Sequence, residues 1–164
     1  MIAAVVLAAG EATRYGSAKQ RLYLPAVLEH LAQTSVGEIV VVWGAHPLDG
    51  VEVGDARLVR CHDWRRGPGA SLRCGLAALD PTVDAAVVVL ADGPNLDPRS
   101  VERLLAERGE AAVVAASYDG ARGHPVLLAR SVWDAVPDEG ARGLDAVLVA
   151  CDDLEPPGDA DTPP

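Results

Sequence analysis

The sequence predicts an α/β protein, a three-layer α/β/α sandwich built around a mostly parallel central sheet. Two observations lead to this prediction: short β-branched apolar runs recur along the chain, and segments with helical spacing separate several of them. The runs lack polar alternation, which is typical of strands buried on both faces. Repetition of strand, helix and strand then favours parallel pairing, with helices covering both faces of the sheet.

Seven apolar runs are predicted to be strands. No repeat or linker separates them, so residues 1–164 are expected to form a single domain. In chain order the predicted strands are IAAVVL (2–7), EIVVVWG (38–44), ARLVR (56–60), AAVVVLA (85–91), AAVVAAS (111–117), HPVLLA (124–129) and AVLVA (146–150).

Three segments have the spacing of amphipathic helices: VLEHLAQ (27–33), ASLRCGLAAL (70–79) and PRSVERLLAERG (98–109). The third is predicted to begin after Asp97 as its N-cap and to end at Gly109. Gly75 lies inside the second, where glycine costs about 1 kcal/mol relative to alanine, so close packing is the expected reason for it. The segment from residue 155 onward is rich in proline and aspartate and is predicted to be a loop.

Composition limits the kinds of partner. A formal net charge of −10 and a pI near 4.7 disfavour an extended nucleic-acid or anionic-lipid surface. The apolar runs are shorter than the roughly 20 residues of a membrane span. The start, MIAAVVLAAG, has no positively charged lead, so we expect a cytoplasmic protein. Because the chain as a whole is negatively charged, any phosphate group must be bound by a local cluster of cations.

The cysteines and histidines do not suggest a metal centre. Cys61, Cys74 and Cys151 are an odd number without a CxxC pair, so we expect reduced thiols in the core. The four histidines do not combine with them at any zinc-ligand spacing.

The loop after the first predicted strand, LAAGEATRYGSAK, has the features of an anion site. The small residues 8–10 allow backbone N–H groups to approach a ligand closely. Arg14 can form a bidentate contact with phosphate, and Lys19, the one lysine in the chain, can supply a point charge. The alternative is a tight turn with solvated cations. The loop matches neither G-x-x-x-x-G-K-[ST] nor G-x-G-x-x-G, which disfavours a P-loop NTPase and a standard dinucleotide enzyme.

A second candidate loop, LADGP, follows the strand predicted over 85–91. In parallel sheets ligands bind at the carboxyl ends of the strands, which is where Asp92 is expected to emerge. Its carboxylate could hold Mg²⁺ or could cap the following turn.

Read as L-A-A-G-x-x-x-R-x-G-x-x-K, the first loop resembles the signature of the MobA-like nucleotidyltransferases. The alanine at position 9 resembles the residue found there in the family's cytidylyltransferase branch. The product of that branch is molybdopterin cytosine dinucleotide. The resemblance implies a Rossmann-like nucleotidyltransferase fold with one antiparallel strand near the sheet edge. Other segments with this resemblance are DWRRGPGASLRCGLAAL (63–79), VVVLADGP (87–94), YDGARGHPVLL (118–128), DEGARGL (138–144) and CDDLEPPGDADTP (151–163).

The resemblance implies transfer of CMP from CTP to molybdenum-bound molybdopterin, with release of pyrophosphate. It assigns catalysis to Arg14, Lys19 and Asp92. It implies a metal site at Asp92 and Asp161 for Mg²⁺, with Mn²⁺ as the alternative. The implied nucleotide-binding residues are Leu7, Ala8, Ala9, Gly10, Arg14, Lys19, Gly67 and Ser71.

The same resemblance suggests Pro94, His124 and Arg142 as acceptor-binding residues, with Arg122 as a further candidate. The implied partners are small molecules and a molybdoenzyme or its chaperone, with no nucleic acid and no membrane. The bland alternatives stay open: Ser71 as a helix cap, His124 as a hydrogen-bonded histidine at a strand entry, and the arginines as solvated surface residues.

Two departures from the family pattern keep other functions open. Gly93 stands where the family commonly has glutamine, and Cys61 with His62 where Asn-Pro is usual. The alternatives are a relative using another NTP or acceptor, a noncatalytic nucleotide-binding protein, and a small oxidoreductase. Trp43 and Trp64 are interpreted as packing residues.

Overall fold

The computed structural model describes residues 1–9 and 18–158, with the backbone alone at residues 18 and 19. Within this part of the chain, all seven predicted strands are present and join one sheet. Their bounds are β1 (Ile2–Ala8), β2 (Glu38–Trp43), β3 (Arg57–Arg60), β4 (Ala85–Leu90), β5 (Val113–Tyr118), β6 (Ala121–Ala129) and β7 (Val147–Ala150).

The strand order is β3-β2-β1-β4-β6-β5-β7. β1 is the third strand from the β3 edge and pairs in parallel with both β2 and β4. β6 is antiparallel to both of its neighbours, β4 and β5, and is the third strand from the β7 edge. The predicted mostly parallel sheet with one antiparallel strand is therefore confirmed.

Three α-helices flank the sheet in the described ranges: α1 (Ala18–Leu31), α2 (Pro68–Ala77) and α3 (Pro98–Ala106). α1 starts earlier than the predicted residue 27 and includes Pro25. Asp97 caps α3 as predicted, since its carboxylate accepts from the Arg99 amide at 2.9 Å, but the helix ends before Gly109. None of these helices combines the length and apolar character needed to cross a membrane.

The three layers follow from the alternation of side chains along β1. Ala4 and Val6 pack in the cluster that α1 and α3 cover, whereas Ala3 and Val5 pack in the cluster that α2 covers. All four are fully buried, so the central strand contributes to both cores. Gly75 of α2 shows the close packing that was predicted.

A Cβ atom at Gly75 would lie 2.6 Å from Val5 Cγ1 and 2.7 Å from Val42 Cγ2. Both contacts are closer than real Cβ atoms reach, so glycine is what allows α2 to approach β1 and β2 at this height. This approach sets the position of the beginning of α2, where the candidate site lies.

The edge strands differ from the prediction that all strands are buried on both faces. Leu58 of β3 is 42% exposed, and Val147 and Leu148 of β7 are 55% and 46% exposed. Among the residues that the structure describes, each of these strands has a hydrogen-bonded neighbour on one side only. An apolar run read in isolation cannot distinguish an edge position from a central one, because the difference arises from the neighbours.

The expectation of three reduced thiols is wrong for two of them. Cys61 and Cys74 form a disulfide with a Cα–Cα distance of 5.8 Å, while Cys151 is a buried free thiol. Cys61 directly follows β3, where its amide donates to the Trp43 carbonyl at 2.7 Å, and Cys74 lies in α2. The 13-residue spacing has no pairing signature, because tertiary packing brings the two residues together. The bridge ties the end of β3 to α2.

Candidate functional site

A cavity of about 670 Å³ opens at the carboxyl ends of β1 and β4. Leu7 and Leu90 are register partners on these parallel strands, and the Ala91 amide donates to the Leu7 carbonyl at 3.0 Å. Both strands therefore end at one rim, as expected for a ligand site in a parallel sheet. The cavity is lined by Leu7, Ala9, Gln20, Trp64, Arg65, Gly67, Pro68, Ser71, Leu90 and Asp92.

The structure brings together five of the residues predicted from the sequence. They are Leu7, Ala9, Gly67, Ser71 and Asp92, contributed by the ends of two strands and the start of one helix. Ala8 is buried within β1 and does not line the cavity. Four other predicted positions lie outside the described residues or side chains: Gly10, Arg14, Asp161 and the side chain of Lys19.

The start of α2 is shaped by glycine. Gly67 precedes the helix at φ +127°, and a Cβ atom there would lie 2.5 Å from the Asp138 carbonyl oxygen. The first helical residue is Pro68, so Ser71 lies inside the first turn and is not the N-cap. The cap alternative for Ser71 is wrong. Ser71 is buried at the cavity wall.

The segment 136–138 is hydrogen-bonded to the start of α2. Arg73 donates from Nη1 to the Val136 carbonyl and from Nη2 to the Asp138 carboxylate, each at 2.6 Å. The Gly69 amide donates to the Asp138 carbonyl at 2.8 Å. The hydrogen bond from Arg73 lowers the pKa of Asp138 below its ordinary value. These hydrogen bonds to the segment 136–138 hold the N-terminal end of α2 in place beside the cavity.

Replacing Gly69 with alanine is expected to destabilise the protein by about 1–3 kcal/mol. The added Cβ atom would lie 1.6 Å from the Pro137 carbonyl oxygen, and that neighbour is backbone, which cannot rotate away. The free energy of unfolding in urea measures the effect. Gly37→Ala is the matched control, because its closest neighbour is the flexible end of Met1. Equal stabilities of the two variants would contradict the packing described for α2.

A second cavity, of about 550 Å³, lies on the other side of β4. Because β6 runs antiparallel, its beginning reaches the rim at which β4 ends. Leu90 lines both cavities. The lining residues are Val89, Leu90, Gly93, Leu96, Tyr118, Asp119, Ala121, Arg122, Gly123, His124, Pro156, Pro157 and Gly158.

His124 is the acceptor-site candidate that lines this second cavity. Burial lowers its pKa, the Arg122 cation lowers it further, and the Asp92 carboxylate acts in the opposite direction. The imidazole is therefore neutral at physiological pH. The Tyr118 hydroxyl donates to the His124 carbonyl at 2.7 Å, which closes the β5–β6 hairpin, and burial raises the pKa of Tyr118 to about 12.

In a histidine NMR titration, His124 is expected to titrate below the ordinary imidazole pKa of about 6.5. Asp92→Asn should lower that pKa further, because it removes a negative charge that favours the imidazolium. A rise in the His124 pKa in Asp92→Asn would contradict the electrostatic coupling.

The remaining acceptor candidates lie elsewhere. Pro94 is half-buried, Arg142 is exposed, and neither lines one of the two cavities. Arg122 lines the second cavity, but its Nη1 and Nη2 donate to the carbonyls of Leu144 and Ala141 at 2.7 and 2.8 Å. This arginine therefore fastens the β5–β6 hairpin to the segment that carries Arg142.

The segment 155–158 crosses the LADGP loop and forms one wall of the second cavity. The Asn95 amide donates to the Pro157 carbonyl at 3.1 Å. A Cβ atom at Gly93 would lie 3.1 Å from Pro157 Cβ and 3.3 Å from the Gly158 carbonyl oxygen. A glutamine at residue 93, as in the family pattern, would require this segment to shift.

Sequence reasoning missed five lining residues of the first cavity: Gln20, Trp64, Arg65, Pro68 and Leu90. Gln20 lies in the first turn of α1, directly after Lys19. Trp64 packs as interpreted but also lines the cavity, and Arg65 precedes the Arg66-Gly67 pair. The position of Arg65 beside a glycine loop in an acidic chain was the available signal.

The donor set can be tested against the implied divalent metal. Within residues 1–9 and 18–158, no group of three or more histidine, cysteine or carboxylate side chains could hold a metal ion. Mg²⁺ commonly binds proteins through one or two carboxylates and completes its shell with water and substrate phosphates. Asp92 at the cavity wall fits a metal of this kind, which binds together with a nucleotide.

Comparison with known proteins gives consistent results at the level of sequence family and fold. A family model described as the MobA-like NTP transferase domain matches residues 4–154. The nicotine blue oxidoreductase of Paenarthrobacter nicotinovorans is 32% identical over 164 aligned residues, which cover 86% of this chain and 79% of that protein.

Among solved structures, Rv0371c from Mycobacterium tuberculosis H37Rv is similar with a TM-score of 0.80 and 26% identity, covering 98% of this chain and 93% of that chain. Its complex with manganese gives a TM-score of 0.76 with the same identity and coverage. The likeness therefore extends over nearly the whole of both chains.

Proposed function

Because the chain belongs to the family of MobA-like NTP transferase domains, we propose that it transfers CMP from CTP to molybdenum-bound molybdopterin and releases pyrophosphate. One observation carries the proposal within that family: Leu7, Ala9, Gly67, Ser71 and Asp92 surround a single cavity at the carboxyl ends of β1 and β4. Its volume of about 670 Å³ is in the range of small-molecule sites.

In the proposed reaction, a phosphate oxygen of the acceptor forms a bond to the α-phosphorus of CTP. The bond from that phosphorus to the bridging oxygen breaks, and the electron pair leaves with pyrophosphate. The protein has mainly to align the two substrates and to neutralise their charge. We assign the neutralisation of phosphate to Arg14 and Lys19, and the small residues 8–10 to backbone contacts with phosphate or base.

The proposal includes a divalent ion, Mg²⁺ with Mn²⁺ as the alternative, held by Asp92 and by Asp161. The manganese complex of Rv0371c supports a divalent metal in a similar fold. When bound, such an ion supplies positive charge to the phosphate oxygens. Asp92 lines the first cavity and acts electrostatically on His124 of the second, so an ion held there would lie close to both substrates.

The acceptor is proposed to occupy the second cavity, with His124 as a neutral hydrogen-bonding contact for its pterin end. The cavity shares Leu90 with the first, which supports binding of two ligands side by side across the end of β4. Arg122 contributes by holding the hairpin, and Arg142 and Pro94 are proposed to contact the acceptor's outer part. We further propose that the protein acts in the cytoplasm and passes its product to a molybdoenzyme or that enzyme's chaperone.

The decisive experiment compares CTP, GTP, ATP and UTP, each with Mg²⁺ and molybdenum-bound molybdopterin, by pyrophosphate release. We expect release with CTP and little with the others. Release with GTP or ATP alone would overturn the assignment of the base. CTP binding by calorimetry without any turnover would favour a noncatalytic nucleotide-binding protein.

A second candidate function is an oxidoreductase acting on nicotine blue or a similar compound, and the 32% identity to nicotine blue oxidoreductase favours it. An oxidoreductase has to bind a redox cofactor, although the chain has no G-x-G-x-x-G motif. Thermal-shift measurements with NADH, NADPH, FMN and FAD separate the candidates. Stabilisation by one of these cofactors, with none by CTP, would replace the transferase proposal.

A further inference from the structure

The structure assigns to Trp64 a role beyond core packing: we propose that its indole ring contacts the nucleobase of the bound nucleotide. This inference deepens the proposed function and rests on it. Trp64 lines the first cavity together with Gly67 and Ser71, on the wall formed by the 3-10 helix Trp64–Arg66 and the start of α2. Asp92 lines the same cavity just after the end of β4, so the proposed metal ligand and the indole come from different elements.

The position of the indole is set by a glycine on the neighbouring strand end. Gly44 directly follows β2, and a Cβ atom there would lie 2.6 Å from Trp64 Cβ and Cγ and 2.7 Å from Cδ1. The side chain therefore rests on bare backbone. The absence of a side chain at Gly44 leaves room for the ring at the cavity wall. Any larger residue at position 44 would displace the ring.

A flat group already lies over the Trp64 ring. The guanidinium carbon of exposed Arg65 lies over the Trp64 ring at 5.2 Å from its centroid. An exposed arginine can move aside at little cost, since it is held by solvent-accessible contacts. A nucleobase is planar like the guanidinium and has an aromatic face that stacks on indole. The base can therefore replace Arg65 or lie against the pair.

Stacking of this kind is tolerant of base identity, because every base has an aromatic face. Trp64 is thus expected to add affinity, while discrimination of cytosine depends on hydrogen bonds from the backbone around the cavity. Removing the ring should weaken the binding of all nucleotides by a similar factor. It should leave ligands that lack a base unaffected.

The experiment titrates wild-type protein and Trp64→Ala with CTP and with inorganic tripolyphosphate, each with Mg²⁺. We expect CTP binding to weaken about tenfold in the variant, while tripolyphosphate binding stays unchanged. Trp64→Phe, which keeps an aromatic ring, should recover part of the loss. Gly44→Ala, which displaces the indole without deleting it, should also weaken CTP binding selectively.

Tryptophan fluorescence gives an independent readout, since the chain has three tryptophans. CTP should change the emission of wild type and of Trp43→Phe, whose ring packs in the other core cluster, but not that of Trp64→Phe. Unchanged CTP affinity in Trp64→Ala, or an equal loss for tripolyphosphate, overturns the role of Trp64 and leaves the transferase proposal standing. Absence of binding by every NTP to wild type overturns both.

Discussion

Replacement of Asp92 by asparagine is expected to lower the rate of pyrophosphate release about 100- to 1000-fold. The substitution keeps the size of the side chain but removes the carboxylate charge that is proposed to hold the divalent ion. Asp92 is half-buried at the wall of the first cavity, just after the end of β4. Single-turnover assays with saturating CTP and acceptor measure the chemical step directly.

Asp84→Asn is the matched control for this substitution. Asp84 is exposed at the opposite end of β4, immediately before the strand begins, and is remote from both cavities. Its variant should retain wild-type activity. A second readout is the dependence on Mg²⁺ concentration, which should shift to higher values in Asp92→Asn. An Asp92→Asn protein with normal rate and normal metal dependence would remove Asp92 from the catalytic site.

Loss of the Cys61–Cys74 disulfide is expected to lower the free energy of unfolding by about 3 kcal/mol. The bridge closes a loop of 13 residues, and that constraint reduces the conformational entropy of the unfolded chain. Urea unfolding with and without dithiothreitol measures the change. The same loop carries the 3-10 helix Trp64–Arg66, so the affinity for CTP should fall along with stability.

The double variant Cys61→Ala/Cys74→Ala provides the control, because its stability should not respond to dithiothreitol. Thiol titration in denaturant should find one reactive group, Cys151, in the oxidised protein and three after reduction. Three thiols in the protein before reduction, or identical unfolding curves, would contradict the bridge.

The layers and most strand positions were predictable from sequence because buried parallel strands leave continuous apolar runs. The ends of helices and strands were less predictable where local secondary-structure propensity and tertiary packing favour different conformations. α1 continues through Pro25, although a proline inside a helix usually ends or bends it. Val147 and Leu148 are exposed because β7 is the edge strand among residues 1–9 and 18–158, which the run AVLVA does not encode.

The candidate site was predictable in part, for a physical reason. Asp92 and Gly67 follow regular elements directly, so strand and helix positions determine where they lie. The contributions of Trp64 and Gln20 depend on how the loop after β3 and the start of α1 fold over the rim, and single residues in loops carry little periodic signal. The pairing of Cys61 with Cys74 is a tertiary contact of the same kind.

Leu90, the last residue of β4, faces both cavities and so acts as a partition between them. Whatever occupies one side meets the same isobutyl group as the occupant of the other. A substitution of Leu90 that adapts one cavity to a new ligand would therefore also change the shape of the other cavity. Changes of specificity in this scaffold should therefore arise at the outer walls, with the shared divider left in place.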